Sequence, residues 1–149
     1  MAYTQQGLYT RVAKITGEEP SRTRNQVRHW VNKGLIPASE KRGSGVGTRR
    51  SYDILSVCVG AALVRLSSIG RSGEALSADA FVVAGFFEMY LRTDTSHPAY
   101  FVGLREGAKG FLLAEMTSEP TVVLLQDRQG EAAWIVDVGG ICRIANELA

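Results

Sequence analysis

Cysteine is scarce: the 149-residue chain holds two, Cys58 and Cys142. Two cysteines so far apart in sequence make no disulfide framework, and the expected setting is reducing and cytoplasmic. Both read as buried small hydrophobes, and without a cysteine cluster no metal site is expected. Histidine is scarce too, with only His29 and His97, the latter in a linker beside Pro98. The acidic residues Glu106, Glu115, Glu119, Asp127, Glu131 and Asp137 are spread over turns and strand ends without pairing. No HExxH, GxSxG or DxDxG-like arrangement occurs, so neither catalysis nor a cofactor is expected. Long apolar runs are missing: residues 54–64, nearly uncharged, fall far short of the ~18 residues a membrane span needs. No basic segment followed by an apolar one opens the chain, so no signal peptide is expected. Repeats and low-complexity tracts are absent as well. With 45% hydrophobic and 21% charged residues, the composition argues against a disordered or fibrous protein.

What is present is a charge asymmetry hidden inside a net charge of +2. Residues 1–50 carry ten Lys and Arg against three Glu, a balance of +7. Residues 51–149 carry seven basic against twelve acidic residues, a balance of −5. A basic segment joined to an acidic one points to a polyanionic partner for the first.

Hydrophobic spacing divides the chain into elements. Leu8, Val12 and Ile15 recur at helical intervals over 5–16, with Thr4 as a cap and Gly17 as a stop. After the turn at Glu18-Glu19-Pro20, Ser21 is the expected cap of a second helix running to Lys33. Its apolar face is Val27, Trp30 and Val31. Gly34 ends it, and Leu35-Ile36 re-enters the core before Pro37. Residues 38–50 read as a basic, glycine-rich loop or loose hairpin. A buried helix over 54–69 stops at Gly70. Residues 71–74 read as a linker, and Ser77 as the cap of an unusually apolar helix through Leu91, with Phe81, Ala84, Phe87 and Met89. Beyond 93–98 the period changes. Apolar runs at 100–104, 111–116, 122–126 and 132–138, split by turn signals, predict an antiparallel meander. A closing helix over 139–148 would place Ile141, Ile144, Ala145 and Leu148 on one face.

The second helix carries the functional signal. Stepping 100° per residue from Val27 brings Trp30 and Val31 to within about 60° of it. Arg22, Asn25 and His29 fall on the far side, flanked by Gln26, Arg28 and Lys33. These side chains can reach base edges and phosphates in a major groove, and no acidic residue stands between Ser21 and Ile36. A short helix, a turn and a helix with such a face describe a helix-turn-helix reader. Trp30 shares the apolar face and is expected in the core rather than stacked on a base; Tyr52 is likewise expected to pack. In the loop, Lys41, Arg42, Arg49 and Arg50 flank three glycines, which let backbone approach a sugar-phosphate chain. The same glycines do not make a nucleotide cradle, because no apolar strand precedes them and Thr48-Arg49 stands where Lys-Ser/Thr is needed.

Val12-Ala13-Lys14-Ile15-Thr16-Gly17, then Val27-Arg28-His29-Trp30 and Gly34-Leu35-Ile36-Pro37, resemble the start of a MerR-type winged helix-turn-helix protein. Arg49-Arg50-Ser51-Tyr52 resembles the return strand of that family's wing. The resemblance covers about residues 5–70. It implies that Arg28 makes backbone or base contacts, that His29 and its neighbours enter the major groove, and that Arg49 and Arg50 clamp phosphate. Three features depart from the family pattern. More residues separate Gly17 from Val27, no long heptad helix is present, and the cysteines are not clustered.

The expected fold is α+β: an N-terminal winged helix-turn-helix over 1–75, then helices, a small antiparallel β-sheet and a C-terminal helix over 76–149. The expected function is sequence-specific recognition of double-stranded DNA by a cytoplasmic, nucleoid-associated, dimeric transcription regulator. The DNA-contacting candidates are Arg22, Asn25, Gln26, Arg28, His29, Lys33, Lys41, Arg42, Arg49 and Arg50. Residues 76–149 would serve dimerisation, an effector or a protein partner. Two alternatives remain open: an excisionase-like DNA-bending factor, and a protein-interaction adaptor.

Overall fold

In the computed structural model, residues 2–42, 49–93, 97–105, 111–118 and 133–149 are described. Helix α1 spans Gln5–Thr16, with the Thr4 hydroxyl accepting from the Gly7 N–H and Gly17 closing the end at φ 71°. Both ends match the sequence expectation. Helix α2 spans Pro20–Asn32, starting two residues before a helix capped by Ser21 would, and Ser21 does not cap it. Glu19 does: its carboxylate accepts the N–H groups of Ser21 and Arg22 at 2.9 and 2.8 Å. Proline suits the first helical position because its φ is preset and it has no N–H to satisfy. Gly34, at φ 73°, turns the chain after α2.

Strands β1 (Glu40–Arg42) and β2 (Arg49–Ser51) pair antiparallel, with Glu40 opposite Ser51, Lys41 opposite Arg50 and Arg42 opposite Arg49. The glycine-rich stretch 43–48 between them lies outside the described residues. Tyr3 extends this ribbon by an antiparallel bridge to Tyr52, with N–H to carbonyl contacts of 2.6 and 3.0 Å. A capping box then starts α3 (Ile54–Ser68): Asp53 accepts from the Ser56 N–H, and the Ser56 hydroxyl accepts from the Asp53 N–H. That hydroxyl also donates to the Pro37 carbonyl at 2.7 Å, sealing the base of the hairpin.

Helix α3 is the centre of the molecule. Residues 56–64 and Leu66 are all buried, as expected for a helix that is apolar all round. Helices α1 and α2 pack on it, as do α4 (Gly73–Arg92) and α5 (Val138–Glu147). A Cβ on Gly60 would lie 2.9 Å from a Val12 methyl, so glycine is what allows α1 and α3 to approach this closely. One contiguous cluster of buried side chains runs from Leu8 and Val27 through Leu63 to Phe87 and Ile141.

The stretch 71–74 is not a linker. Helix α4 begins at Gly73, four residues before the expected cap Ser77, with Ser72 at the N-cap position. Arg71 is buried and grips the buried Asp79 carboxylate through two contacts of 2.7 and 2.8 Å. Burial pushes the Asp79 carboxyl up and the guanidinium pulls it down; the two-pronged geometry is that of an ionised pair. On α4, Phe87 is buried, while Phe81 is 74% and Met89 49% exposed.

Strands β3 (Tyr100–Arg105), β4 (Phe111–Thr117) and β5 (Ala133–Asp137) form an antiparallel sheet of order β4-β3-β5. The expected meander is corrected here. In the described residues β5 pairs with β3, Tyr100 facing Asp137 and Leu104 facing Ala133, so β3 is the central strand. The apolar run at 122–126, expected to be a strand, lies outside the described residues. Asp137 caps α5 by accepting from the Gly140 N–H at 2.7 Å. Ile141 and Ala145 of α5 are buried, but Ile144 is exposed rather than sharing their face. Among the described residues no helix is long and apolar enough to cross a membrane.

Candidate nucleic-acid interface

Helix α2 is anchored by Thr23, Val27, Trp30 and Val31, all buried against the core. Trp30 and Tyr52 are packing residues, as expected. This anchoring turns the opposite side of α2 to solvent. Arg22, Arg24, Asn25, Arg28, His29, Asn32 and Lys33 are all exposed. The helix therefore presents a polar face with four cationic side chains and no carboxylate of its own; the acidic groups nearby are Glu18 and Glu19 in the turn before it.

Each candidate from the sequence has a definite setting. Asn25, Arg28, His29 and Lys33 are exposed on this face. Arg22 is exposed and lies 3.8 Å from Glu18, a loose surface pair of small energetic weight. Gln26 differs from the rest. It is half-buried, and its amide donates at 3.4 Å to the Ser67 hydroxyl on α3, so it faces the neighbouring helix. Arg50 bridges two elements. Its guanidinium donates at 3.0 Å to the Val31 carbonyl near the end of α2, tying the hairpin to that helix. The side chains of Lys41, Arg42 and Arg49 lie outside the described residues, but the backbone register places Lys41 beside Arg50 and Arg42 beside Arg49. Like charges directly opposed across a ribbon repel.

Arg24 was missed in the sequence reading. It lies only about 60° from Val27 at 100° per residue, close to the buried stripe, so the wheel assigned it to neither face. Its long side chain instead reaches past the stripe to solvent. Arg24, Asn25 and Arg28 line one wall of a cleft of about 420 Å³, and Gln6, Tyr9 and Thr10 of α1 line the other. Burial raises the Tyr9 phenol, while the nearby Arg28 and Arg24 charges pull it down. Two arginines, an asparagine, a glutamine and the hydroxyls of Tyr9, Thr10 and Ser21 around an open cleft suit a hydrogen-bonding, anionic ligand such as a nucleic-acid strand. The Glu19 carboxylate that also lines the cleft is engaged by the Ser21 and Arg22 N–H groups.

Glu19 sets where this face begins. Its carboxyl is held below its ordinary value by the Ser21 hydroxyl, together with the N–H groups of Ser21 and Arg22. Cys58 and Cys142, far apart in the sequence and expected to be buried, are buried and meet in the core with sulfurs 3.7 Å apart; separation along the chain says nothing about separation across a helix packing. The chain matches no protein-family model and no curated protein, so its reading rests on the geometry of the α2 face and the cationic ribbon.

Proposed function

We propose that residues 1–75 act as a winged helix-turn-helix and that the protein is a sequence-specific, double-stranded DNA-binding transcription regulator. Helix α2 enters the major groove with Asn25, Arg28 and His29 toward the bases, and the hairpin contacts the phosphate backbone. The observation that carries this reading is the pairing of an exposed, carboxylate-free α2 face with a ribbon in which two of the three opposed positions, Lys41 with Arg50 and Arg42 with Arg49, are cation against cation. Repulsion of that kind is relieved when phosphates sit between the charges. The resemblance of residues 5–70 to MerR-type proteins supports the same reading.

Arg22, Arg24 and Lys33 supply backbone contacts on the flanks of α2. Gln26 supports α2 from behind rather than reading bases, since its amide is engaged with Ser67. Arg50 fixes the angle between hairpin and helix, which leaves Arg49 as the phosphate contact of β2. Dimerisation through residues 76–149 belongs to the proposal and is supported by the exposed Phe81 and Met89 on α4.

Selection of bound duplexes from a random pool tests the reading, and a palindromic consensus would report half-site spacing and symmetry together. On the selected site, Asn25→Ala is expected to cost about 1–3 kcal/mol and to relax preference at one or two positions. Arg24→Ala and Arg49→Ala are expected to weaken binding to every sequence and to reduce the salt slope by about one ion each. A salt titration unchanged by both substitutions refutes the interface.

A further inference from the structure

The chain has only two cysteines, and the fold brings them together. Cys58 on α3 and Cys142 on α5 are 84 residues apart in sequence, are both fully buried, and have sulfurs 3.7 Å apart. A disulfide needs about 2.05 Å, so a small rotation and slide of under about 2 Å would join them. We propose that Cys58 and Cys142 are a reversible redox pair, in which a hydroperoxide oxidises the two thiols to a disulfide that staples α5 onto α3.

The packing of α5 decides how the reaction starts. In the docked state no surface of either thiol meets solvent, and the contact with Cys142 and burial push the Cys58 thiol up, so the closed protein is unreactive. The buried face of α5 is built largely from small residues: Gly139, Gly140, Cys142 and Ala145, with Val138 and Ile141 as its larger anchors. A ten-residue helix held by so little apolar area opens locally more readily than the α3 core. Undocking exposes the Cys142 thiol to solvent, where its thiolate can react.

The chemistry balances without a metal or cofactor. The Cys142 thiolate attacks one peroxide oxygen, the O–O bond breaks, and the products are a sulfenic acid and, after protonation, water or an alcohol. Redocking brings the Cys58 sulfur to the sulfenic sulfur. The S–S bond forms, the S–O bond breaks, and the departing hydroxide takes the Cys58 proton to leave as water. Two electrons pass from the two sulfurs to the peroxide, and a small thiol reductant returns them.

The test uses the full chain with hydrogen peroxide. Oxidised protein is unfolded and alkylated, its thiols are counted, and its intact mass is measured. The expected result is loss of both thiols, a mass lower by two hydrogens, no cross-link between chains, and full reversal by dithiothreitol. The rate should climb with pH, because the thiolate is the attacking form, and in dilute urea, which populates the opened helix. Closing so long a loop should raise the thermal midpoint by roughly 10 °C. Cys58→Ser should stop at the sulfenic acid, trapped as a dimedone adduct, with no rise in midpoint. Cys142→Ser should likewise give no rise in midpoint, because the disulfide has lost its second sulfur. Two free thiols after peroxide in dilute urea overturn the proposal, as does a bond between chains, a Cys142 sulfinic acid in the wild type, or an unchanged midpoint.

Discussion

Single residues decide this molecule where charge is buried. Arg71 and Asp79 lie in a stretch that reads as a linker, yet both are buried and joined by two short contacts. Removing one partner strands the other's charge, so Asp79→Asn and Arg71→Ala should each cost about 3–5 kcal/mol in urea unfolding. Replacing both together with Leu and Met should be nearly neutral, because the cost lies in the orphaned ion rather than in the pair. The sequence shows the two residues eight apart but not their burial, since an arginine after a glycine is normally solvated. Asn25, Arg28 and His29 are the opposite case. Their position followed from the α2 pattern alone, because a surface residue's direction depends only on helical phase. Gln26 on α2 and Arg50 on β2 were expected to face the same partner, but each is engaged with a neighbouring element.

Among elements, α2 is held at its start by a titratable cap. The Glu19 carboxyl lies below its ordinary value of 4.5 in the folded chain. A lowered folded value means the capping contribution is complete above that ordinary value and is lost as pH falls through the lower, folded one. Wild type should therefore lose more thermal stability than Glu19→Gln between pH 6 and the acid limb below about 4.5, measured by circular dichroism. The contact of α1 with α3 gives a second expectation. Gly60→Ala gains helix propensity of about 1 kcal/mol, but its methyl would meet Val12 at 2.9 Å. Overpacking of about 1–3 kcal/mol should win, and adding Val12→Ala should reverse that part of the loss due to crowding. Chemical denaturation of the single and double variants measures both. Element boundaries were readable where capping is local, as at Thr4 and Gly17. They shifted at Glu19, which displaces Ser21 because Pro20 presets the first helical φ, and at Ser72, which stands at the N-cap position of α4 without a side-chain cap bond, more than a turn before Ser77.

At the scale of the whole molecule, α3 is shared. Its faces are covered by α1 and α2 on the basic side, and by α4 and α5 from the acidic part of the chain. A fragment ending at residue 75 would leave the α4 and α5 side of α3 bare. It should show weaker thermal cooperativity and a greater tendency to self-associate than the full chain, in calorimetry and light scattering; a sharp, monomeric transition for that fragment would contradict a shared core. Residue order alone determined the helices α1, α2 and α3, the solvent-facing side of α2, and the presence of strands after Pro98. Each depends on periodicity and capping within a few residues. Packing in three dimensions determined that β5 lies beside β3, that Arg71 meets Asp79, that Arg24 joins a cleft with α1, and that Cys58 meets Cys142. Those facts join residues from different elements, and no local pattern encodes them: they depend on which surfaces exclude the most water when brought together.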